Sequence, residues 1–218
     1  MKKILIALFI FCTLQNLYSQ QNKYRKSAKK ENASENKKSN DYYDKANNIY
    51  SNYKYNIGFK VPEKWIVDKG MSEHTILRTY DADSSNSFTI NVIESEYNVE
   101  EPFWKTYDKN SVEIEKKYKT MLETQLNTKL KNYTIEKSYI KNFQSLKRKL
   151  EFTRKDQDYE YEIVTIIQQV VKGNLTYTFS LNIPKMFYDK NPQHYNKLFL
   201  NIHFLADKKK LNSLINSK

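Results

Sequence analysis

The chain has 218 residues, with 37 Lys or Arg against 25 Asp or Glu and a formal charge of +12, enough length for one domain with a proper core and too little for two of ordinary size. A single cysteine, Cys12, excludes a disulfide framework, and three glycines leave no phosphate-cradling glycine-rich loop. Lys2 and Lys3 open the chain and residues 20–50 hold eight basic against four acidic side chains, which leaves 27 basic and 21 acidic ones, a net +6, for everything that follows; interspersed signs of that kind make a solvated surface and argue against nucleic acid as a partner.

Lys2 and Lys3 precede an apolar run from Ile4 to Phe11, and polar Gln15 and Asn16 lead to Leu17-Tyr18-Ser19. This three-part layout is that of a secretory signal peptide over residues 1–19, and the apolar run is too short for a permanent membrane anchor. The mature chain is therefore expected in the periplasm or outside the cell, with no transmembrane helix. Cys12 follows Phe11 where an acylation site would have a small residue, so lipoprotein anchoring is not expected, and loss of the leader leaves no thiol at all. Residues 20–50 are rich in Lys, Asn, Ser and Glu, with Tyr24, Tyr42 and Tyr43 as large side chains up to Asn48; such a composition buries too little surface to offset ordering and predicts a disordered basic linker. Its acids, Glu31, Glu35, Asp41 and Asp44, weaken any hold on an anionic surface.

A domain is expected over residues 51–206. Ile57, Phe59 and Val61 alternate with Gly58 and Lys60 before Pro62, a half-buried strand stopped by proline, and Trp65 supplies a first core anchor. The runs His74 to Tyr80 and Phe88 to Ile93 flank the turn-rich residues 81–87 and read as a hairpin. The period then lengthens: Ile114, Tyr118, Met121, Leu122, Leu126 and Leu130 make one stripe of a surface helix of about 20 residues that covers a sheet. Four strands follow, Thr134 to Ile140, Leu146 to Thr153, Tyr159 to Val171 and Leu175 to Ile183. The third carries apolar residues on both faces, as a strand covered on both sides does, and Lys172-Gly173-Asn174 turns it tightly into the fourth. Asn191 caps a final helix with Pro192 in its first turn and Tyr195, Leu198, Phe199 and Ile202 as the buried stripe. Residues 207–218 form a basic, frayed tail.

The segment Ile57-Gly58-Phe59-Lys60-Val61-Pro62-Glu63-Lys64-Trp65, with the element order over residues 53–205, resembles the PsbP-like fold of photosystem extrinsic proteins, a Ran-binding nuclear transport factor and bacterial envelope proteins of the DcrB type. The resemblance implies an α+β domain, an antiparallel sheet of about six or seven strands packed between helices as an α/β/α sandwich, used mostly as an accessory or binding module. Asn142-Phe143-Gln144-Ser145 stands where that family often has a glycine, and Pro62 and Trp65 are structural, so no functional residue is carried over.

Candidate chemistry is sparse. His74, His194 and His203 do not make a metal-binding pair, the last two lying on opposite sides of one expected helix. Asp81-Ala82-Asp83 opens like a calcium loop, but Asn86 and Val92 stand where such a loop needs glycine and glutamate, so a hairpin turn is the better reading. Glu160 and Glu162 share a strand face and read as solvated charge. Lys141, Lys147, Arg148 and Lys149 form the densest basic cluster, either an anionic-ligand surface together with Tyr139 and Phe143 or a charged outer strand face that discourages edge pairing. These features predict a non-enzymatic exported accessory protein, a monomer without cofactor, that binds an envelope protein or cell-surface component. Two alternatives remain: a small-molecule or lipid carrier with a cleft between helix and sheet, and a hydrolase built on scattered carboxylates.

Overall fold

Alternation places Ile57, Phe59 and Val61 inside and Lys60 outside, and this opening strand organises a first sheet. The computed structural model describes residues 41–68, 72–83, 85–99, 102–108, 111–156 and 159–205. The expected leader 1–19 with Cys12, linker residues 20–40 and the tail 207–218 lie outside the described residues. The small sheet has the order β1 (Asp41–Asp44), β2 (Ile49–Asn52), β3 (Ile57–Lys60), β10 (Ile202–Phe204), antiparallel throughout. A second antiparallel sheet has the order β4 (Ile66–Asp68), β5 (Thr75–Tyr80), β6 (Ser87–Val99), β9 (Tyr159–Pro184), β8 (Phe143–Asp156), β7 (Leu130–Ile140). Helices α1 (Phe103–Asp108) and α2 (Ser111–Leu126) lie between β6 and β7 in the chain; α3 (Lys185–Lys190), α4 (Pro192–Lys197) and a 3-10 turn (Leu198–Asn201) lie between β9 and β10.

The α+β class and antiparallel pairing match the expectation, with the strands divided between two sheets. The linker boundary does not: residues 41–50, expected to lie in the disordered linker, hold β1 and the first half of β2. Their apolar content is low, but β2 pairs with β3 and thereby buries Tyr50, whose hydroxyl donates to the Ile76 carbonyl at 2.5 Å. Asp44 ties the intervening turn by accepting from the backbone of Ala46 at 3.0 Å and of Asn47 at 3.3 Å.

The expected long helix ends at Leu126, because Asn127 turns the backbone left-handed (φ 48°) and the Glu123 carboxylate accepts from the Leu130 amide at 3.1 Å; Leu130 begins β7 instead. The last helix is likewise shorter than its stripe. Asn191 caps α4, accepting from the His194 amide at 3.1 Å, but Ile202 is taken into β10 opposite Phe59, so His194 and His203 lie on different elements.

The small sheet packs on one face of the large one, where Ile57, Phe59 and Ile202 meet Phe88, Ile90, Tyr177 and Phe179. Tyr118 and Leu122 of α2 cover Leu150, Phe152, Ile163 and Ile167 on the other face. Residues 163–170 of β9 thus feed both cores, Val164, Ile166 and Val170 on one side and Ile163 and Ile167 on the other. The strand folds back at Gly173 (φ 63°), and the Thr165 hydroxyl donates to Asn182 Oδ1 at 2.7 Å across its two arms. Gly173→Ala places a Cβ in left-handed backbone, so we expect a loss of roughly 1–2 kcal/mol in urea unfolding; an unchanged midpoint would show that the turn tolerates a side chain. Among the described residues no helix is long and apolar enough to cross a membrane.

Candidate functional site

The basic cluster is split by strand geometry. Successive residues of β8 point to opposite faces, so Lys147 and Lys149 share one face and Arg148 takes the other. Arg148 is only 3% exposed and does not belong to the expected ligand surface. Its Nε and Nη2 donate to Glu115 Oε2 and Oε1 of α2 at 3.0 and 2.6 Å, Nη1 donates to Gln169 Oε1 at 3.4 Å, and its guanidinium lies 4.6 Å from the centre of the Tyr118 ring. The Tyr133 hydroxyl donates to the same carboxylate. Burial pushes the Glu115 carboxyl upward, but Arg148 and the hydroxyls of Tyr133 and Tyr107 more than reverse this and hold it below the ordinary range. Burial, reinforced by the neighbouring carboxylate, pushes the Tyr133 hydroxyl far upward despite the opposing Arg148 charge. A fully matched bidentate pair of this kind anchors α2 to the sheet.

Lys147 pairs with Glu136 on β7 at 2.8 Å; Lys149 pairs with Glu151 at 2.8 Å and lies 4.8 Å from the Tyr188 ring centre. Of the four predicted residues, Lys141 lines the cleft described next, and Lys147, Arg148 and Lys149 do not line it. It is the first of two residues turning β7 into β8 and adopts φ 54°, uncommon for a side chain of its length. The cleft, about 290 Å³, is lined by Lys141, Asn142, Phe143, His203 and Phe204. Pairing of β10 with β3 brings His203 and Phe204 to the turn. The rings of Phe143 and Phe204 are 4.5 Å apart and tilted by 58°, and Tyr177 supports Phe204 edge-on at 5.2 Å. The Tyr177 hydroxyl donates to the Tyr55 carbonyl at 2.9 Å.

Lys172, beside the bend of β9, holds Nζ 5.3 Å from the Phe143 ring centre and 5.7 Å from that of Phe204. Lys141 Nζ donates to the Leu200 carbonyl at 2.9 Å, which uses one of its three donors. Neither ammonium has a carboxylate within ion-pair distance among the described residues, unlike Lys147 and Lys149. Partial burial, with the nearby Lys141 charge, holds the His203 imidazole below its ordinary value, hence neutral at pH 7. The cleft is thus a cationic, aromatic-walled recess suited to an anion. Lys172, His203 and Phe204 carry no sequence signal that joins them to Lys141.

The remaining candidates do not converge. Asp81 closes its hairpin, accepting from Ser85 Oγ at 3.0 Å and from the Asn86 amide at 3.2 Å, as the turn reading required. Glu160 pairs with Lys155 and Glu162 with Lys131, so each of the two has its own cation at the surface. No group of three metal-ligating side chains occurs among the described residues.

No known family and no curated protein matches the chain. Among solved structures it is similar to cyanobacterial PsbP (CyanoP) from Synechocystis sp. PCC 6803, with 14% identity and a TM-score of 0.49 over 72% of this chain and 91% of that one. A protein from Bacteroides thetaiotaomicron VPI-5482 is similar at 11% identity and TM-score 0.39, over 70% of this chain and 46% of that one. LpqN, involved in cell envelope biogenesis of Mycobacterium tuberculosis, is similar at 12% identity and TM-score 0.39, over 69% and 83%.

Proposed function

We propose that this chain is an exported accessory protein of the cell envelope that acts by binding, and that the cleft between the β7–β8 turn and β10 is its binding face. One observation carries this reading: among the described residues Lys141 and Lys172 have no carboxylate partner and lie by the rings of Phe143 and Phe204, whereas Arg148, Lys147 and Lys149 are each paired with a carboxylate. Unmatched cations over apolar walls attract an anionic partner and set its orientation. The signal-like residues 1–19 supply the address.

The test is sedimentation of the purified mature chain with an isolated bacterial envelope fraction, beside the double variant Lys141→Glu/Lys172→Glu. Charge reversal at both positions is expected to weaken the association roughly tenfold or more while the thermal midpoint stays within a few degrees. Equal sedimentation of the two proteins, or none of the parent, would overturn the reading.

A further inference from the structure

Resting on the reading that the cleft is the binding face, we infer that its ligand is a small aromatic carboxylate, with one ring against Phe143 and Phe204 and the acidic group held by Lys141 and Lys172. Three features select this class. The volume of about 290 Å³ lies at the bottom of the range for small-molecule sites, roughly 300–1,000 Å³, and so admits one ring with a short substituent. The two phenyl walls, tilted at 58°, present a face and an edge, which a third ring complements better than an aliphatic chain does. The sign of the charge disfavours a cationic ligand, and a purely neutral one would leave both ammonium groups without a counter-charge among the described residues. Asn142 adds an amide that donates to or accepts from the ligand's polar end.

The position of Lys141 gives the inference a clean variant. Its φ of 54° is backbone that glycine adopts without penalty, so Lys141→Gly removes the ammonium while retaining or raising stability. A variant that folds at least as well and no longer binds cannot have lost binding through unfolding.

The experiment is calorimetric and NMR titration of the full mature chain with phenylacetate, and in separate arms with phenylacetamide, acetate and inorganic phosphate. Phenylacetate is expected to bind in the submillimolar to millimolar range and to shift the ring protons of Phe143, Phe204 and Tyr177. Phenylacetamide and acetate should each bind about tenfold more weakly or worse, and Lys141→Gly and Lys172→Ala should each cost about tenfold in phenylacetate affinity. Equal binding of acid and amide, binding of acetate or phosphate as tight as phenylacetate, or titration of the two variants like the parent would overturn the inference. No phenylacetate binding, with envelope sedimentation still abolished by charge reversal, would overturn the ligand class and leave the binding face standing. The converse pattern, with specific phenylacetate binding and no envelope association, would keep the ligand and remove the envelope partner.

Discussion

Replacing Glu115 by Gln is expected to destabilise the domain by about 3–5 kcal/mol, because it leaves the Arg148 guanidinium charged, only 3% exposed and without its counter-charge. The amide can accept from Arg148 at one oxygen only, so the bidentate match at 2.6 and 3.0 Å is also lost. The double variant Glu115→Leu/Arg148→Met should regain most of that loss, since removing both charges removes the desolvation they share; a double-mutant cycle in urea at pH 7 measures the difference. The same pair sets a pH dependence. In the folded state the Glu115 carboxyl is held below its ordinary value of 4.5, so the folded state binds its proton less readily than the unfolded chain does. Its contribution is therefore complete above about pH 4.5 and is lost as the pH falls through the depressed folded value. Glu115→Gln should flatten this part of the acid limb. A loss under 1 kcal/mol at pH 7, with an acid limb like that of the parent, would mean that α2 is held by its apolar stripe alone.

Phe88→Ala should cost about 3–5 kcal/mol, the loss of a buried phenyl plus the cavity it leaves. Phe88 is fully buried on β6, stacked on Phe59 of β3 at 4.5 Å and 8°, and meets Phe199 of the 3-10 turn edge-on at 5.6 Å and 68°. It therefore fastens three elements of distant sequence at one point, and its removal should loosen the small sheet first. Amide hydrogen exchange in β3 and β10 is expected to accelerate more than exchange in β7 and β8. Val112→Ala, at an 85% exposed position of α2, is the comparison and should change stability by less than about 0.5 kcal/mol. A Phe88→Ala loss below 1.5 kcal/mol, or uniform acceleration of exchange, would show that the two sheets are not joined through this contact.

Much of the architecture was legible along the chain because its signals are local. Ile57, Phe59 and Val61 alternate, residues 163–170 are apolar on both faces, Gly173 supplies a positive φ, and Asn191-Pro192 starts a helix; each follows from sterics and solvent within a few residues. The errors lie where a distant partner overrides the local pattern. Residues 41–52 are too polar to order themselves, yet they become β1 and β2 because β3 offers a free edge and buries Tyr50. Leu130 and Ile202 fit helical stripes but are drawn into strands opposite Phe152 and Phe59.

The candidate site divides in the same way. The sequence alone establishes that no cysteine follows Cys12, that basic side chains outnumber acidic ones, and that Lys141, Lys147, Arg148 and Lys149 crowd near the β7–β8 turn. The tertiary structure alone decided which of those cations are spent inside the fold. A strand exposes alternate side chains to opposite faces, so a run such as Lys147-Arg148-Lys149 cannot act as one patch, and the residue turned inward is tolerated only because α2 brings Glu115 to it across 33 positions of sequence. Lys141 has no carboxylate partner among the described residues because the turn carries it past the end of both strands, where Lys172, Phe204 and His203 arrive from elements paired far along the chain.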